Sequence, residues 1–168
     1  MDTSLEMSSL MSRFPRPGKI EWMCIRPGRE LPVRVCKTVT ADDQTGLLED
    51  HFNGKPGDKR MVTFIQKEHI EFVAAILGRD CVDPALLRRN IVVSGLNLVA
   101  LKQQYFRIGE AVFQGTTHCP PCSRMEKNLG EGGYNAMRGH GGINARVIQS
   151  GVVNVGDVVE YIGEAYDV

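Results

Sequence analysis

Residues 105–126, YFRIGEAVFQGTTHCPPCSRME, hold the reading on which the fold turns. Two short strand-like runs, YFRI and AVFQGT, flank Gly109, a natural turn residue. The pattern breaks at Pro120 and Pro121. Helix then resumes in CSRMEKNL, where the prolines suit the approach to a first turn and Gly130 suits a cap. Strand, turn, strand, break and helix together describe a sheet-rich domain with an occasional helix.

The flanking sequence repeats this pattern. Upstream, IEWMCIRP and LPVRVCKTVTA read as strands, the second alternating Val33, Val35 and Lys37 with Cys36 opposite. DDQTGLLEDHFNGKPGDKR is a long polar turn region, and RMVTFI is a further β-rich run. KEHIEFVAAILG predicts a helix whose apolar face is Ile70, Val73, Ala74 and Leu77, stopped by Gly78. DPALLRR predicts a helical turn leading into the strand NIVVSG. Downstream, INARVIQSG and VVNVGDVVEYI alternate as strands around Gly151 and Gly156. Pro15 and Pro17 discourage regular structure near the start, so residues 1–20 are expected to form a loosely ordered arm before a single domain over 21–168. The fold class is mainly β, a barrel or an α+β domain. Regular helical crossovers, GxGxxG and P-loop patterns are absent, which argues against a Rossmann sheet and a nucleotide-binding P-loop.

Composition narrows the function classes. A chain of 168 residues can bury a core without disulfide staples. Twenty Lys and Arg balance twenty Asp and Glu. No global field therefore recruits nucleic acid, and a local basic pocket is the remaining electrostatic route to an anion. Five cysteines, odd in number and widely spaced, do not form a secreted disulfide framework. The start lacks the charged and apolar regions of a signal peptide, and no segment approaches the ~18 apolar residues of a membrane span. A reducing, cytoplasmic setting is expected, with neither nucleic acid nor membrane as partner.

The stretch THCPPCSR admits four readings. A redox couple needs the pair on a helix following a strand in a βαβ unit, and that context is missing. A structural zinc site needs four ligands, for which His118, Cys119, Cys122 and His140 are the candidates. Two buried thiols without chemistry are a third reading. The fourth is one thiolate that holds a metal or carries sulfur, favoured by a helix start and by Arg124. The residues alone leave these open.

Four pieces, in order, resemble the MOSC family, the domain related to the C-terminal part of molybdenum-cofactor sulfurases. They are GLLEDHFNGKPGDKRMVTFIQKEHI (46–70), LRRNIVVSGLNLVAL (87–101), the opening stretch, and GHGGINARVIQSGVVNVGDVVE (139–160). The chain is similar to the short, stand-alone bacterial members and has no room for a pyridoxal-phosphate sulfurase domain. The resemblance implies a strand-rich β-barrel with a few helices and a bound molybdenum cofactor (molybdopterin), with zinc as the alternative. Cys122 matches the family cysteine as catalytic group and molybdenum ligand, and Cys119 is an extra thiol beside it. A thiolate suits a thiophilic metal, and a pterin phosphate calls for cations and free backbone N–H groups. Candidate contacts are Arg88, Arg89, Asn90, Lys59, Arg60 and Arg124, with His51 as a hydrogen-bonding group. The glycines at 139, 141 and 142 allow close backbone approach, and His69 reads as structural.

Two activities follow from the resemblance. One is a molybdenum-dependent oxidoreductase that reduces N-hydroxylated compounds with an electron-donor protein. The other is a sulfur transferase in which a cysteine desulfurase loads a persulfide on Cys122 for sulfuration of a metal–sulfur cluster or cofactor. Cys119 would then release the sulfur by disulfide formation. A non-catalytic cofactor-binding module and a zinc-stabilised structural domain are the alternatives.

Overall fold

Alternating apolar residues in these short strands point one way and fill the inside of a barrel. The computed structural model of the chain describes residues 3–167. In chain order the elements are α1 (Thr3–Met11), β1 (Gly18–Ile25), β2 (Arg34–Cys36), β3 (Thr38–Asp42), β4 (Gly46–Leu47), β5 (Val62–Gln66) and α2 (Lys67–Ile76). A 3-10 turn (Pro84–Leu87) precedes β6 (Ile91–Ser94), and a second (Leu98–Leu101) precedes β7 (Tyr105–Ile108) and β8 (Ala111–His118). Then come α3 (Ser123–Leu129), α4 (Gly133–Met137), β9 (Ile143–Gln149), β10 (Gly151–Asn154) and β11 (Val158–Gly163).

Seven strands run in the order β11-β7-β8-β9-β5-β6-β1, and the pairing of Gly18 with Val159 joins β1 to β11 and closes the ring. Within the ring only β5–β6 is parallel, and α2 lies on the crossover that a parallel pair requires. β2 extends the sheet beyond β1, and β10-β3-β4 form a separate small sheet.

The barrel is filled by Phe64, Phe106 and Phe113, whose ring centroids lie 5.3–5.5 Å apart, together with Ile20, Met23, Ile143 and Val147. A second core packs α2, α3 and α4 on the outside through Ile65, Val73, Val92, Met125, Leu129 and Met137. β5 is therefore buried on both faces, which is why VTFIQ carries no polar alternation. The mainly β barrel with a few helices is the observed architecture.

Details depart from the sequence reading. LPVRVCKTVTA divides into β2 and β3 at Lys37, and Val35 is exposed because β2 has β1 as its one neighbour. Inward alternation begins only at Val39 and Ala41. Thr3–Met11 is helical and ends ahead of Pro15 and Pro17, and β1 already begins at Gly18. α4, five residues long, is too short to show a helical apolar stripe.

Candidate functional site

A cleft of about 710 Å³ opens beside the barrel, within the ~300–1,000 Å³ range of small-ligand sites. One wall is the polar loop between β4 and β5, contributing His51, Phe52, Asn53, Asp58, Lys59 and Arg60. The other is built from Thr63 of β5, Asn144 and Arg146 of β9, Cys119 after β8, and Arg26 after β1.

Asp50 holds the two walls together. Its side chain is fully buried, and its Oδ1 accepts from the Arg26 backbone N–H (2.6 Å), Arg26 Nε (3.1 Å) and Asn90 Nδ2 (3.1 Å). Oδ2 accepts from the second Arg26 nitrogen at 2.8 Å. Burial alone would raise this carboxyl, but the Arg26 hydrogen bonds and charge, with Asn90, hold it below the usual carboxylate range. Asn90 is itself fully buried. Its Oδ1 accepts from Thr63 N–H (3.1 Å) and Oγ1 (3.0 Å), and its second Nδ2 proton goes to the Cys24 carbonyl (3.2 Å). All of its amide capacity is used inside the protein.

The wall that carries Cys119 is fixed in the same way. Arg89, 6 % exposed, donates to the carbonyls of Gly141 (2.9 Å), Leu87 (2.9 Å), Cys119 (3.0 Å) and Pro120 (3.3 Å). The Cys119 N–H donates in turn to the Gly142 carbonyl at 2.9 Å. A Cβ on Gly141 would stand 2.2 Å from the Cys119 carbonyl oxygen, so the backbone itself passes against the cysteine here.

The cleft carries a surplus of positive charge. Arg26, Lys59, Arg60 and Arg146 face one lining carboxylate, Asp58, which already accepts from the Arg60 backbone N–H at 2.8 Å. Arg26 is paired with Asp50. Among the described residues Lys59 and Arg60 make no side-chain ion pair, and Arg146 Nε is buried without a hydrogen-bond partner. A buried, unpaired guanidinium N–H costs free energy and is the group an anion in the cleft would satisfy. Partial burial, followed by the nearby Arg26 charge, lowers the His51 pKa and so favours the neutral ring, which can accept a hydrogen bond.

Of the residues singled out in the sequence, Cys119, His51, Lys59 and Arg60 converge on this cleft. Cys122 does not: it is exposed, at the N-cap of α3. Arg88 donates to the Leu31 (2.6 Å) and Gly28 (2.9 Å) carbonyls, and Arg124 donates to Arg29 O and pairs with Glu30 at 2.9 Å. Both tie down the 28–31 loop and lie off the cleft. Arg89, Asn90, Gly141 and Gly142 position its walls without lining it. His140 is stacked on Phe72 at 4.0 Å with His69 edge-on at 4.9 Å. Among the described residues no three His, Cys, Asp or Glu side chains are placed to share a metal, so the four-ligand zinc clamp is not assembled.

Arg26, Asp50, Asn144 and Arg146 escaped the sequence reading. Arg146 had a signal: in INARVIQ, Ile143, Ala145 and Val147 face the core, which puts Asn144 and Arg146 together on the opposite face. Asp50 had none, because its partners lie 24 and 40 residues away.

All five cysteines are free, but they differ in reactivity. Cys24 is buried, donates its S–H to the Arg89 carbonyl, and is pushed up to about 12 by burial. In the native protein, iodoacetamide is expected to modify Cys81 and Cys122 first, Cys119 more slowly, and Cys24 only after unfolding. Peptide mass mapping over time checks this order, and early labelling of Cys24 would contradict the packing described.

Scaffold and site together make a closed seven-strand β-barrel bearing a basic cleft with one cysteine in its lining. The MOSC domain family matches residues 51–160, about two thirds of the 168, and the chain belongs to that family. Among solved structures, the YuaD protein of Bacillus subtilis superposes with a TM-score of 0.76 at 19% identity, covering 90% of this chain and 98% of that one. YiiM from Geobacillus stearothermophilus gives 0.71 at 17% identity, covering 87% of this chain and 75% of that one. YiiM from Escherichia coli gives 0.68 at 21% identity, covering 92% and 73% respectively. At these identities the likeness is one of fold. A search of curated protein sequences finds no significant match. No helix among the described residues is long and apolar enough to cross a membrane.

Proposed function

We propose that the cleft binds the pterin-phosphate cofactor of molybdenum, with Cys119 as the protein thiolate toward the metal. The observation that carries this reading is Arg146, whose Nε is buried and unpartnered, lining the same cleft as Cys119. The donor set fits the group: cations for a phosphate, and one sulfur for a thiophilic metal. When bound, molybdenum would supply the two-electron chemistry for reducing N-hydroxylated compounds, given an electron-donor protein. The chain's own residues bind and orient. Lys59, Arg60 and Arg146 hold the phosphate, Arg89 fixes the Cys119 backbone, and the neutral His51 ring accepts or passes a proton at the cleft mouth. Five free thiols accord with a reducing, cytoplasmic setting.

Arg146→Ala is the direct test of the phosphate contact. A charged hydrogen bond of about 1.5–3 kcal/mol corresponds to roughly 10–100-fold in affinity. Protein from a host that makes the cofactor should lose most of its molybdenum and its acid-releasable organic phosphate together, while its melting temperature holds. Unchanged content of both would remove Arg146 from the site.

The exposure of Cys122 favours a second reading, in which this thiol carries sulfur. A cysteine desulfurase with cysteine should then add the mass of one sulfur atom to Cys122. An unmodified residue after such treatment would end that reading.

A further inference from the structure

A second cavity, of about 390 Å³, lies beneath α2 on the outside of the barrel and shares no residue with the basic cleft. Its floor is Trp22 of β1 and Val92 of β6. Ile70 and Ala74 of α2 form one wall, and Val82 and Pro84 the other. An apolar lining with a few placed charges is the make-up of small-molecule sites rather than of a solvated surface dip.

The charges at its rim have one sign in excess. Glu21, Glu71 and Asp80 stand against Lys67, whose ammonium is already paired with Glu71 at 2.7 Å. Three carboxylates and one ammonium leave two negative charges over. Glu21 and Glu68 also act on Lys67 from nearby, and Asp80 has no ion-pair partner among the described residues. An apolar carboxylate entering here would meet like charge, whereas a cation would meet complementary charge beside an indole.

We propose that this cavity is a binding site for small apolar amines, with the hydrocarbon body against Trp22, Ile70 and Val92 and the ammonium group toward Asp80 and Glu71. The site is independent of the cofactor reading.

Trp22 is the one tryptophan in the chain, so intrinsic emission reports on the cavity floor. Titration with phenethylamine should shift or quench that emission saturably. Its charge-reversed analogue phenylpropionate should bind about tenfold more weakly or worse. Asp80 and Glu71 are exposed, so Asp80→Asn and Glu71→Gln should fold normally and each weaken amine binding about two- to fivefold. Cys81 opens on the same rim and is exposed, and saturating amine should slow its alkylation several-fold. The proposal is overturned if emission ignores the amine, if both probes bind equally, or if the two variants leave binding unchanged. Protection of Cys81 that grows with protein concentration in the absence of amine would assign the cavity to a second copy of the chain, and would overturn it too.

Discussion

Asp50→Ala should lower the free energy of unfolding by about 3–5 kcal/mol, the range seen when one partner of a buried ion pair is removed. The carboxylate is fully buried, and its Arg26 partner is 15 % exposed. Alanine would leave the Arg26 guanidinium and one Asn90 amide proton without their acceptor. The damage reaches both walls of the cleft, because the Asp50 bonds hold the end of β1 and the residue before β6 in register. Equilibrium urea unfolding at neutral pH measures the loss.

The same residue sets an acid sensitivity. The folded carboxyl lies below its ordinary pKa of 3.8, so its stabilisation is complete above that value. It is lost as pH falls through the ordinary carboxylate range toward the lower folded value. The parent should therefore lose stability on acidification over this window faster than Asp50→Ala does. Parallel acid profiles, or a loss under about 1 kcal/mol at neutral pH, would mean that the pair is solvated and contributes little.

Gly142→Ala should cost about 4 kcal/mol or more. Its φ is +89°, a region in which an L side chain is strained by about 1–3 kcal/mol. The added Cβ would also stand 1.8 Å from the Phe64 carbonyl oxygen, an overlap that only backbone movement relieves. Phe64 pairs with Ile143 across β5 and β9, so that movement opens the start of this pairing. Because the Gly142 carbonyl accepts from the Cys119 N–H, the thiol loop goes with it. Thermal unfolding reads the stability, and faster alkylation of Cys119 below the melting temperature reads the loop. A variant that melts like the parent would contradict the close approach.

Much of the barrel was legible in the sequence because two-residue alternation reports directly on which face is buried. YFRI became β7 and AVFQGT the greater part of β8, which runs on to His118, and Ile70, Val73 and Ala74 became the buried face of α2. The legibility failed where burial came from elsewhere. Val35 alternates like a core residue but sits on an edge strand, and α4 depends on packing against α3 rather than on its own pattern.

The site was legible in a different way. Motif order brought out the THCPPC segment, His51, Lys59 and Arg60, but motif order carries no direction in space. It could not say which of two cysteines three residues apart lines the basic cleft. Nor could it say that Arg89 and Asn90 would turn inward to satisfy carbonyls and a buried carboxylate. Arg88 and Asn90 differ by two positions, yet one clamps a surface loop and the other completes a buried network.

Cys119 and Cys122 are separated as metal ligands by their effect on molybdenum content. Molybdenum should be measured by elemental analysis on anaerobically purified parent, Cys119→Ala and Cys122→Ala proteins from a cofactor-producing host. Metal is expected in the parent and in Cys122→Ala, and is expected to be lost from Cys119→Ala without loss of fold. Molybdenum retained by Cys119→Ala, or absent from the parent, would rule out Cys119 as the thiolate toward the metal.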